Sequence, residues 1–126
     1  MNLRDTCASV ILAVQLCAGC RTTPSHSAYT AGKADAKNDL ANGVLAIEHS
    51  GFPMKWDGEY VRLLKQKHGI EVRRVGFCVV SGEVDDHLRG YNKVAEAEIE
   101  RRFGKDCLQK AADEALVLYE SKTLAR

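Results

Sequence analysis

Residues 44–80 pass from strand-like to helix-like and back to strand-like patterning, and that order constrains the fold more than anything else in the chain. Asn42-Gly43 is a strong turn signal, and Val44 to His49 (VLAIEH) follows as a short, nearly continuous apolar run. Such a run between turn signals fits a buried strand, although periodicity alone leaves a helix open. Ser50-Gly51-Phe52-Pro53 ends it. Trp56 to His68 reads as a helix, with Trp56, Tyr60 and Leu63/Leu64 recurring at steps of three and four. Its acids come early and its bases late, which complements the helix dipole, and Gly69 is placed to stop it. Ile70 to Val80 is the second strand. Ile70 and Val72 share one parity and Val75, Phe77 and Val79 the other, so the phase slips at Arg73-Arg74 and predicts a bulge or bend. Strand, helix and strand over this span make the length of a βαβ unit, whose crossover is right-handed in nearly all cases. The expected fold is a small α/β domain, two parallel strands packed by three to four helices, with an antiparallel α+β arrangement as the alternative.

The flanks are helical in pattern. Ala31 to Leu40 (AGKADAKNDL) is alanine-rich and polar, and predicts a short helix lying against the surface. Ser81 can cap a helix with Glu83, Asp85 and Asp86 in its first turns. Val84, Leu88, Tyr91, Ala95, Ile99 and Phe103 then form a stripe that runs to Gly104. Gly90 interrupts that stripe at a cost of about 1 kcal/mol relative to alanine, which points to the close approach of another backbone. Asp106 and Gln109 have the spacing of a capping box. Leu108, Ala111, Ala112, Ala115, Leu116 and Tyr119 would face inward along a last helix.

Ahead of all this, Arg4 is followed by an apolar run from Cys7 to Leu16, and Leu16-Cys17-Ala18-Gly19-Cys20 closes it with small residues before a cysteine. The run falls short of the roughly 20 apolar residues that cross a bilayer. The arrangement resembles the lipoprotein signal peptides of bacteria. The resemblance covers residues 1–20 alone, with Ala18-Gly19-Cys20 as its closest match. It implies removal of residues 1–19, lipidation of Cys20, and a chain anchored in the cell envelope, facing the periplasm or the cell surface. An ordinary secretory signal and an uncleaved N-terminal helix are the other readings. Residues 20–30, polar and carrying Pro24, would then be a tether, and residues 31–126 a single domain.

The chain has 18 basic and 17 acidic residues, a net charge of +1. The balance persists when residues 1–19, with one of each sign, are set aside. No basic run exceeds two residues, so the concentrated basic face that nucleic acid requires is not expected. The expected partners are a membrane, through the lipid, and an envelope protein of unspecified kind, for which the apolar loop Phe52-Pro53-Met54 with Trp56 is one candidate surface. Trp56 as a core anchor of its helix is the plainer account. Of five cysteines, two fall in the signal and one is the lipidation site. Cys78 and Cys107 remain, either as a disulfide or as two separate buried thiols.

No catalytic motif is present: G-x-S-x-G, H-E-x-x-H and a phosphate-binding glycine loop are all missing, and Cys17-x-x-Cys20 belongs to the signal. The expectation is therefore a non-enzymatic binding or structural module of the envelope. The alternative is a secreted small-molecule or metal-binding domain. In open α/β sheets ligands bind beyond the carboxyl ends of strands, where this chain has His49-Ser50-Gly51 and Ser81-Gly82 running into Asp85-Asp86-His87. His49, Asp86 and His87 are thus the candidate ligand set, with a divalent metal as the candidate cofactor. Acids in a first helical turn are equally well explained by the helix dipole, and His68 by its place at a helix end.

Overall fold

Residues 24–77 and 81–125 are described by a computed structural model. The expected signal, Cys20 and Cys78 lie outside the described residues. Two short strands, β1 (Ala46–His49) and β2 (Glu71–Arg74), pair in parallel, with Ala46 opposite Glu71 and His49 opposite Arg74. Glu71 N–H to Leu45 O and Val75 N–H to His49 O, both 2.9 Å, bracket the ladder. Among the described residues four helices surround it: α1 (Pro24–Ala41), α2 (Asp57–His68), α3 (Gly82–Phe103) and α4 (Cys107–Leu124). The parallel α/β arrangement is the one expected from residues 44–80. Helix α3 packs on β1 and on α1, whereas α2 packs on β2 and on α4; α3 and α4 touch only slightly. One core runs through both layers, from Tyr91, Ala95 and Ile99 through Leu45, Ile47 and Ile70 to Leu63, Leu64, Ala111 and Ala115.

The helix boundaries follow local chemistry. Gly69 adopts φ 68°, and the N–H groups of Gly69 and Ile70 reach back to Lys65 O and Leu64 O, which closes α2 and turns the chain into β2. Ser81 Oγ accepts from Val84 N–H at 3.3 Å and starts α3. The capping box does not form: Asp106 makes no side-chain cap bond, and Gln109 instead donates to Asp113 at 2.8 Å. An exposed Gln has a partner one helical turn ahead, and that i, i+4 contact needs no reach back to the cap. Strand β2 is shorter than the pattern over 70–80 suggests. It ends at Arg74, where the phase slips. There the guanidinium pairs with Asp57 and donates to Gly51 O at 2.8 Å, drawing the chain toward α2.

The largest correction concerns α1. It begins at Pro24, inside the expected tether, and extends the helix foreseen over 31–40 toward the N-terminus. It has no apolar stripe to announce it. What holds it is proximity: a Cβ on Gly32 would lie 2.0 Å from His87 O, and a Cβ on Gly90 would lie 2.1 Å from Tyr29 O. Each helix thus offers a glycine to the other's backbone, which is the close approach that Gly90 implied. Asp39, near the end of α1, locks the crossing. Its Oδ2 accepts from Tyr91 OH and from Arg73 Nη1, each at 2.6 Å. These bonds, Tyr91 first, hold the Asp39 carboxyl below its ordinary range. Among the described residues no helix is long and apolar enough to cross a membrane.

Candidate functional site

The last two residues of β1 diverge, because successive side chains on a strand point to opposite faces. Glu48 turns toward α1 and α3, and His49 toward α2. Each contributes to a separate cavity at the carboxyl edge of the sheet.

Glu48 is held by its own backbone. Asn92, in the middle of α3, accepts from Glu48 N–H at 2.8 Å through Oδ1 and donates to Glu48 O at 2.7 Å through Nδ2. A primary amide presents a donor and an acceptor side by side, as a neighbouring strand would. The side chain of α3 therefore completes the hydrogen bonding of β1 on the edge away from β2. The Glu48 side chain is buried, 6% exposed, and its Oε2 has no hydrogen-bond partner. The neighbouring charged atom is His87 Nδ1 at 3.3 Å, a contact of ion-pair rather than hydrogen-bond geometry.

His87 sits between two acids. Its Nε2 lies 2.9 Å from Asp35 Oδ2 on α1, with Glu48 on the other side of the ring. The Asp35 hydrogen bond, with help from both carboxyl charges, raises the His87 pKa above its ordinary value against the opposing effect of burial. An imidazole with an acid beside each nitrogen is favoured in its protonated form, hydrogen-bonded at Nε2 and paired by charge at Nδ1. One residue each from α1, β1 and α3 thereby meets at one point.

Above this point opens a cavity of about 430 Å³, walled by Ala28 and Ala31 of α1, Val75 beyond β2 and Val84 of α3. Glu48 and His87 line it, and Glu83 adds a second acid. The volume lies within the usual range of small-molecule sites, roughly 300–1,000 Å³. The second cavity, about 300 Å³, holds His49 and Arg74 beside Trp56 and Tyr60. Burial, reinforced by Arg74 and opposed by Asp57, lowers the His49 pKa. Burial also pushes the Tyr60 phenol up to about 12. Phe52 and Met54 stand exposed at the rim of this cavity, while Trp56 packs edge-on against Tyr60 with ring centres 5.8 Å apart. Trp56 is therefore a core-side anchor, as its place in the helical pattern allows.

The ligand set read from the sequence is not assembled. His49 and His87 lie on opposite faces of the sheet, and Asp86 is engaged by Arg89 Nη1 at 2.9 Å. Strand parity separates them: the face that meets α3 carries Glu48, one residue earlier. Among the described residues no group of three His, Cys, Asp or Glu side chains is arranged to hold a metal ion. Cys107 is a buried free thiol whose pKa burial raises; its proposed partner Cys78 falls outside the described residues. His68 packs on Phe103 at the end of α2, with ring centres 4.7 Å apart. Glu48 and Asp35 are not among the residues to which the sequence points. Glu48 has a signal, as the single acid in the run from Val44 to His49, and Asp35 has none in a polar stretch that reads as a surface helix.

No family model, no curated protein and no solved structure matches the chain.

Proposed function

We propose that this chain is a small cell-envelope lipoprotein whose folded part is a non-enzymatic module for binding a small molecule. The cavity at the carboxyl edge of the sheet carries the binding part of this reading. It is open, walled by apolar side chains and lined by Glu48 and His87, which are fixed against each other, the combination of apolar surface and few fixed polar groups that ligand sites share. Anchoring rests on the pattern Leu16-Cys17-Ala18-Gly19-Cys20, with a membrane as the first partner. Expressed in a bacterial host, the full chain should sediment with membranes and incorporate labelled fatty acid at Cys20. Cys20→Ser should abolish the label. An unlabelled soluble product, or a labelled chain that keeps residues 1–19, overturns the anchoring.

A further inference from the structure

We propose that the carboxyl edge of the sheet rests on the bilayer, with Phe52, Met54 and Phe77 inserted among the lipids. This goes beyond the binding reading and rests on the anchoring one. β1 and β2 are parallel, so the chain leaves both at the same edge. Phe52 and Met54 follow β1, 73% and 62% exposed, and Phe77 follows β2, 64% exposed. Arg74 Nη1, reaching across to Gly51 O at 2.8 Å, ties the two exits together. Apolar tips left in water at one edge mark a surface that meets a partner or a membrane. The third phenylalanine, Phe103, packs on His68 where α2 turns into β2, and so lies at the amino edge.

The course of α1 favours the membrane. Its C-terminal end turns at once into β1, through Gly43 N–H to Leu40 O at 3.1 Å and Val44 N–H to Asp39 O at 2.9 Å. That end therefore lies at the amino edge. The first half of the helix lies at the other edge, where Ala28 and Ala31 wall a cavity with Val75, the residue after β2. Pro24, where α1 begins, is thus at the carboxyl edge or beyond it. Cys20 is four residues further back, at most about 14 Å of extended chain. A lipid on Cys20 holds this edge closest to the bilayer. Tethered tips meet the membrane at high effective concentration, whereas a soluble partner has to diffuse to them. Lys55 and Glu83 put both signs of charge at the edge, so the apolar tips rather than headgroup charge decide the contact.

The test uses the full chain, made in a bacterial host with fluorophenylalanine, labelled with fatty acid at Cys20 and reconstituted in phosphatidylcholine nanodiscs. Its three phenylalanines give three fluorine signals. A nitroxide carried by the lipid just below the headgroup should erase most of the Phe52 and Phe77 signals and spare that of Phe103. Phe52→Ser combined with Met54→Ser, both at exposed side chains, should lift Phe77 out of the lipid and restore much of its signal, with the fatty acid still on Cys20. If all three signals survive, or all three fade alike, in chain that carries the label, the insertion is overturned and the anchoring stands. Phe52 and Phe77 signals that ignore the nitroxide and shift with protein concentration assign the tips to a second copy, and also overturn it. A chain that takes no label removes the anchoring and the insertion together.

Discussion

Asn92 does its work through two hydrogen bonds to a single residue. Cutting them leaves a buried N–H and a buried C=O on Glu48 without partners. Asn92→Ala should therefore cost about 1–3 kcal/mol, measured by chemical denaturation. Asn42→Ala, which loses only an exposed bond to Asn38 O, should stay within about 0.5 kcal/mol. The two cavity histidines make a second prediction, in opposite directions. The folded-state pKa of His87 is raised, so its contribution is fully present below about pH 6.5, the unfolded value, and is lost as pH rises through the higher folded value. That of His49 is lowered by burial, so its contribution is present above about pH 6.5 and is lost as pH falls toward the folded value. Together they should place maximal stability near pH 6.5. His87→Asn should remove the decline on the alkaline side and leave the acid side intact. In an NMR titration the His87 midpoint should lie above that of His49, and the reverse order would refute the assignment.

At the scale of the element, α1 and α3 are joined by paired glycines. Gly32→Ala and Gly90→Ala must each push two backbones apart. Overpacking of this kind costs about 1–3 kcal/mol or more, which outweighs the gain of about 1 kcal/mol from helix propensity. Gly58→Ala in α2, where nothing lies within 4 Å of the new Cβ, should instead stabilise by about 0.4–1 kcal/mol. Thermal melts of the three variants check both signs. This crossing also explains what could be read in advance. The sheet, α2 and α3 were legible because apolar spacing and glycine stops act locally. The course of α1 was not, because its stability comes from absent side chains meeting a distant helix, and an alanine-rich polar stretch looks the same whether docked or solvated. The site suffered similarly. Both cavities open at the carboxyl edge of the sheet, but which of Glu48 and His49 faces α3 depends on the docking of the helices, and Asp35 enters only once α1 is in place. Asp106 and Gln109 show the converse, a motif with correct spacing whose side chains found other partners.

At the scale of the molecule, two helical layers share a sheet of two strands among the described residues, and α3 barely meets α4. Cohesion must then pass through residues such as Ile47, 2% exposed at the centre of the core. Ile47→Ala should cost about 2–5 kcal/mol and lower the midpoint on both sides of the sheet alike. Trp56 fluorescence reports the α2 side, and His87 NMR signals report the α3 side. Coincident transitions are expected, and separated midpoints would mean that the layers unfold independently. The exposed ion pairs between α2 and α4, Lys67 with Glu114 and Lys122 with Glu59, add little to this, since such pairs contribute about 0–1 kcal/mol. A sheet of two strands also has two borders along which further chains could add and start a fibril. At Glu48 the amide of Asn92 already fills the place an incoming strand would take, so a second molecule must first evict it. Beside the other border Arg73 and Arg74 are tied to Asp39 and Asp57, which hold β2 to α1 and α2. The same amide that fixes Glu48 thus closes one border of the sheet to such growth.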